Sequence, residues 1–150
     1  VFPTGSICLI FTGCGKNKNA ISAKEFSEKM EDKDYIIQES TSQYSDNDEI
    51  EESYIALSED YSYQIEFILL DSESDASNMY SHNKNKFETE REYSSSKAHS
   101  EINLANYSKY TLIVNGKYKV LSRIDNTLIY INADSEYKDE IDNVLEDLGY

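Results

Sequence analysis

Apolar residues recur along this chain in two rhythms, one helical and one alternating. Ser22-Ala23-Lys24-Glu25 has the form of a capping box, in which a hydroxyl and a carboxylate three residues apart satisfy each other's main-chain N–H groups. Phe26 and Met30 follow at helical spacing, so a first helix is predicted from Ser22 to about Asp34. Strand-like segments come next at Tyr35 to Ser40, Tyr54 to Leu57 and Tyr63 to Leu70. The last places Tyr63, Ile65, Phe67 and Leu69 on one face. Ala76, Met79, Tyr80, Asn83 and Phe87 restore the helical period and predict a second helix from about Asp75 to Glu90. Tyr93 to Ser100 is Ser-rich and reads as a mobile loop. Three further strands form a meander, and Tyr137, Ile141, Val144, Leu145 and Leu148 mark a last helix from Ser135 to Leu148, stopped by Gly149.

The predicted order is α-β-β-β-α-β-β-β-α. Strands grouped in meanders between helices define an α+β class, with helices packed on an antiparallel sheet. Two αβββ units and a closing helix suggest an internal duplication.

Turn chemistry sets the register of the second meander. Asn115-Gly116 suits a two-residue hairpin turn that needs positive φ at both positions, and Asp125-Asn126 suits a second. These turns pair Ile113 with Tyr118, Thr111 with Val120, Ile124 with Thr127, Ser122 with Ile129 and Val120 with Ile131. One face then gathers Ile113, Tyr118, Val120, Ile124, Ile129 and Ile131, assigned to the core beneath the helices. The other gathers Tyr110, Leu112, Leu121, Leu128 and Tyr130, bordered by Lys117, Lys119 and Arg123. That face is too apolar for a plain solvated surface. Either a helix or the other half of the domain covers it, or it binds a ligand through tyrosines, which offer large amphipathic contacts.

Charge narrows the choice of ligand. The chain has 29 acidic and 14 basic residues and a formal charge of −15. Lys16 and Lys18 precede Ser22 and no acid does, so the predicted domain is more acidic still. Such a surface does not suit a nucleic-acid ligand, because phosphate backbones are bound by neutralising them with Lys and Arg. The 13 Tyr and 5 Phe, with the strong periodicity, argue for a folded core rather than an acidic disordered chain.

Sites of chemistry are few. The acidic run Asp46 to Glu52 fails the calcium-loop pattern, which needs glycine where Glu51 stands and Glu where Leu57 stands. His82 and His99 are the only histidines and have no evident partner in the sequence. No nucleophile motif is present. Thr12-Gly13-Cys14-Gly15-Lys16 is not a phosphate loop, since Ile10 replaces the first glycine and Asn17 the Ser/Thr. Neither a metal nor a cofactor is expected.

The N-terminal stretch is the most specific feature. Ile7 to Phe11 is apolar, Thr12 and Gly13 are small, and Cys14 leads into polar Gly15 to Ala20. This junction resembles the lipobox that ends a bacterial lipoprotein signal peptide, with Phe11 where leucine is usual and no basic residue before the apolar run. The alternative is a buried N-terminal strand bearing two ordinary cysteines, Cys8 and Cys14. The resemblance implies that residues 1–13 end a signal peptide and that Cys14 carries a diacylglyceryl anchor. Residues 14–21 would be a lipidated tether, its Lys16 and Lys18 near lipid headgroups, and 22–150 a single extracytoplasmic domain. It is similar to small cell-surface lipoproteins of Gram-positive type. Its partners would be the membrane, through the lipid on Cys14, and a protein, peptide or cell-wall ligand. A non-enzymatic binding domain is expected first. A wall-active enzyme or accessory using carboxylates, or an inhibitor-like module, is the alternative.

Overall fold

A computed structural model describes residues 18–95 and 97–150. Its elements are α1 (Ala23–Glu31), β1 (Ile36–Glu39), β2 (Ile50–Leu57), β3 (Gln64–Leu70), α2 (Glu73–Glu92), β4 (Lys97–Asn103), β5 (Tyr107–Val114), β6 (Lys117–Ile124), β7 (Thr127–Asp134) and α3 (Lys138–Leu148). A 3-10 turn at Thr41–Tyr44 precedes β2, and another at Ser135–Tyr137 leads into α3.

The strands form one antiparallel sheet in the order β1-β2-β3-β7-β6-β5-β4. Two meanders meet where β3 pairs with β7, Phe67 opposite Ile129 and Glu66 opposite Tyr130. Joining them requires the chain to travel from β3 past the width of four strands, about 19 Å. The 20-residue α2 makes that crossing, being about 30 Å long. The expected α+β class with an antiparallel sheet is therefore present. The two meanders are not equivalent, however. The second has four strands, and α1 and α2 lie on opposite faces, so the αβββ units are not copies in three dimensions.

Local signals account for most boundaries. Ser22 caps α1 through both bonds of the capping box. Asn115 and Gly116 adopt φ of 50° and 73°, and Asp125 adopts 49°, so both hairpins close with two residues. The resulting register is the expected one, including Ile113 with Tyr118, Val120 with Ile131 and Ile124 with Thr127. Gly149 ends α3 at φ 89°.

Three segments depart from expectation. Lys97–Asn103 is a strand, β4, and not part of a loop beginning at Tyr93. β2 starts at Ile50 because the end of the acidic run pairs with Leu69 and Leu70 of β3 across a bulge. Lys18 belongs to the domain and not to a free tether: Asn106 Nδ2 donates to its carbonyl at 2.6 Å, and its Nζ donates to the Gly149 carbonyl at 3.1 Å. That ammonium also lies 4.1 Å from the Tyr107 ring centre, so it is occupied on the protein and not at a lipid headgroup.

Both faces of the sheet are covered. On one, α1 and α3 press Phe26, Met30, Ile141, Leu145 and Leu148 onto Ile65, Phe67, Val120, Ile129 and Ile131. Phe26 and Phe67 stack at 4.9 Å. On the other, α2 lays Ala76, Tyr80 and Phe87 over Ile68, Leu70, Tyr110, Leu112, Leu121 and Leu128. No helix among the described residues is long and apolar enough to cross a membrane. Cys14, the signal-peptide segment 1–13 and the first part of the proposed tether lie outside the described residues.

Candidate functional site

The face expected as a tyrosine-bearing docking surface is the one that α2 covers. Tyr110, Leu112, Leu121 and Leu128 are fully buried there, so they are core and not an open surface. The physical reason is the crossing helix: it must run over the sheet, and this face offered it apolar ground. The bordering cations are also engaged. Lys119, 8% exposed, pairs with Glu90 and sits 5.1 Å from the Phe87 ring centre. Arg123 is buried and donates to the Asp125 carbonyl at 3.1 Å. Lys117 is exposed and pairs with Asp134 at 2.5 Å. They do not form a cationic rim around a pocket.

Two members of that set do reach a cavity. Leu128 and half-buried Tyr130 line a groove of about 400 Å³ between the flank of α2 and the sheet. Its other wall is Tyr44 and Asn47, from the 3-10 turn and the loop before β2. Glu66 and Ile68 of β3 form the floor, and Met79, His82, Asn83 and Lys86 line the helix side. A smaller hollow lined by Gln64, Glu66, Tyr130 and Asn132 continues it along the sheet.

The groove exists because α2 lies obliquely over β5 to β7 and leaves the β3 edge of that face partly bare. Glu66 faces this side because even-numbered residues of β3 do, with Ile68 and Leu70. Burial pushes its carboxyl above the ordinary carboxylate range, with partial relief from the Gln64 amide, which donates to it at 2.9 Å. Burial likewise raises the hydroxyls of Tyr44 and Tyr130, and the nearby Glu66 adds to each shift. One carboxylate and two phenols therefore share a poorly hydrated spot. Lys86 makes no ion pair among the described residues and stands on the exposed side of the same groove.

A second cleft, about 490 Å³, lies at the β2–β3 turn and is lined by Ser58, Glu59, Asp60, Ser62, Tyr63, Tyr137 and Glu140. Its carboxylates are used internally. Asp60 accepts from Ser62 Oγ at 2.6 Å and from Ser58 Oγ at 2.9 Å, which holds it below the ordinary range. Tyr63 donates to Glu140 at 2.6 Å and bonds Tyr35 through its hydroxyl. An ionised, hydrogen-bonded Asp60 supplies no proton at neutral pH, so the cleft lacks the contrast between a raised and a lowered carboxyl that acid/base hydrolysis uses. Among the described residues no group of His, Cys, Asp or Glu converges as a metal site, the acidic run included. His82 lies on the groove rim, whereas His99 lies on β4, where Arg91 donates to its ring nitrogen at 3.0 Å.

The groove was not legible beforehand, because its walls come from five separate segments. The usable signal was Glu66 itself, a carboxylate on a strand whose neighbours Ile65, Phe67, Ile68 and Leu70 are all apolar. Comparison with protein-family models, curated proteins and solved structures finds no match to this chain.

Proposed function

We propose that this chain is a lipid-anchored extracytoplasmic binding domain that takes a short peptide, or the peptide portion of a cell-wall fragment, in the Tyr44/Glu66/Tyr130 groove. The observation that carries the reading is a half-buried carboxylate placed between two tyrosines, in a cavity that the crossing helix leaves open. A ligand ammonium satisfies Glu66 and lowers its raised pKa, the Tyr44 and Tyr130 rings hold an apolar side chain, and Lys86 meets a carboxylate. The groove binds and does not catalyse, since none of its residues is an activated nucleophile paired with a base.

The anchor rests on the Thr12-Gly13-Cys14 junction. Lys18 is fixed against Asn106 and Gly149, so an acylated Cys14 could stand no more than about 14 Å away. The end of the domain bearing the β6–β7 turn would then face the membrane closely.

Two experiments test this reading. Calorimetric titration with a muropeptide digest should show saturable binding that Glu66→Gln and Tyr44→Ala each weaken at least tenfold; heats unchanged by both variants would remove the groove from the account. In cells, Cys14→Ala should abolish incorporation of labelled fatty acid and release the protein from membranes. Unchanged retention and mass would remove the anchor.

A further inference from the structure

The sheet ends on one side in β4, and this edge is unusually available. All seven of its residues are exposed, and its register with β5 runs without a bulge from Lys97 opposite Val114 to Asn103 opposite Ser108. It contains no proline. The opposite edge, β1, has only four residues. Long edge strands without such blunting devices are templates for another strand.

Main-chain geometry shows which groups are on offer. Leu104 donates its N–H to the Tyr107 carbonyl at 2.7 Å, extending the β4–β5 ladder by one pair. Since bonding direction alternates along a strand, Ile102, Ser100 and Ala98 turn their N–H and C=O toward β5. Asn103, Glu101, His99 and Lys97 turn theirs outward.

We propose that β4 pairs antiparallel with β4 of a second copy of this chain, about a two-fold axis at Ser100, joining two sheets into one. In this register Lys97 opposes Asn103, His99 opposes Glu101 and Ser100 opposes itself. The outward groups of the four odd-numbered residues then meet as narrow pairs and make about eight main-chain hydrogen bonds. Side-chain charge is complementary in the same register. Lys97, with Arg91 beside His99, makes the first half of β4 positive, whereas Glu101 makes the second half negative. The two-fold sets each half against its opposite. On the far face Ala98 lies against Ile102, covering a side chain that is 46% exposed in the single chain.

Nothing packed on the sheet obstructs this pairing. α2 contacts β6, β5, β3 and β7, and the β6 strands of the two copies would lie about 24 Å apart, enough for two helices about 10–12 Å wide. The partner is a second copy because the complementarity is internal to β4; an unrelated extended peptide would need no such symmetry. The formal charge of −15 on each copy opposes association at long range, so salt should tighten the dimer.

The test uses the full chain carrying Cys8→Ser and Cys14→Ser. In that background Ser100→Cys should form a disulfide-linked dimer on mild oxidation. The Ser100 positions oppose each other as a wide pair, with Cα atoms about 4.5 Å apart, within disulfide range. His99→Cys and a distant control, Ser45→Cys, should cross-link at least tenfold more slowly. Sedimentation velocity on the background chain should show a monomer–dimer equilibrium. Glu101→Lys should weaken it at least tenfold, and His99→Pro should abolish it. The proline removes only an outward N–H, so the thermal midpoint of the monomer should hold. Equal cross-linking of Ser100→Cys and Ser45→Cys, or a chain monomeric up to about 1 mM, would overturn the proposal. So would a dimer unchanged by both Glu101→Lys and His99→Pro.

Discussion

The two faces of this sheet are built from the same seven strands and serve different ends. On the α1/α3 face the helices contribute apolar stripes at regular spacing, and the core is continuous from Phe26 through Phe67 and Val120 to Leu148. On the α2 face a helix three-quarters polar spans the sheet on three buried residues, Ala76, Tyr80 and Phe87. Beneath it lie a buried lysine, a buried arginine and the unpaired hydroxyl of Tyr80, and beside it an open groove. Continuous apolar contact stabilises, whereas polar groups near apolar ones leave places for a ligand. The fold is held mainly by one face, and the other is free to bind.

The sharpest way to break that contrast is truncation of one aromatic on each face. Phe67→Ala removes a fully buried ring stacked on Phe26 and should cost about 4 kcal/mol in urea unfolding. Phe87→Ala, under a helix with few other anchors, should cost about 3 kcal/mol or less, because α2 can settle into the space. Equal losses would mean that the faces contribute alike. A smaller effect sharpens the stable side: Ser22→Ala deletes the hydroxyl that accepts from Glu25 N–H and should lower stability by about 1 kcal/mol.

The least effect, and the most diagnostic of the open side, concerns pH. Glu66 has a folded pKa raised above its ordinary 4.5, so the folded state holds the proton more tightly than the unfolded chain. Stability should therefore fall as pH rises through the unfolded value toward the folded one, and level off above it. Glu66→Gln removes that loss. Its urea midpoint should exceed the parent's by more at pH 8 than at pH 5; the opposite trend would show that Glu66 is stabilised as a carboxylate.

What could be read in advance follows from how locally each feature is encoded. The capping box at Ser22, the Asn115-Gly116 turn and the αL stop at Gly149 depend on neighbouring residues alone, and with them came the register of the second meander. β4 escaped notice because Lys97-Ala98-His99-Ser100-Glu101-Ile102-Asn103 is an edge strand exposed on both faces. It needs no apolar alternation, and β5 templates it. The apolar second face was visible as a list of residues. That α2 would lie over it was not, since the buried stripe of α2 is so thin. Gln64 and Glu66 read as solvent-facing on β3, and only the pairing of β3 with β7, distant in sequence, sets Glu66 beside Tyr130.

The division of labour between the faces is tested most directly by mapping amide chemical shifts during titration with a muropeptide digest. The account predicts shifts confined to the groove, at Tyr44, Glu66, His82, Lys86 and Tyr130, with the α1/α3 face unmoved. Shifts centred on Glu59, Asp60 and Glu140 instead would contradict it and transfer the site to the cleft at the β2–β3 turn.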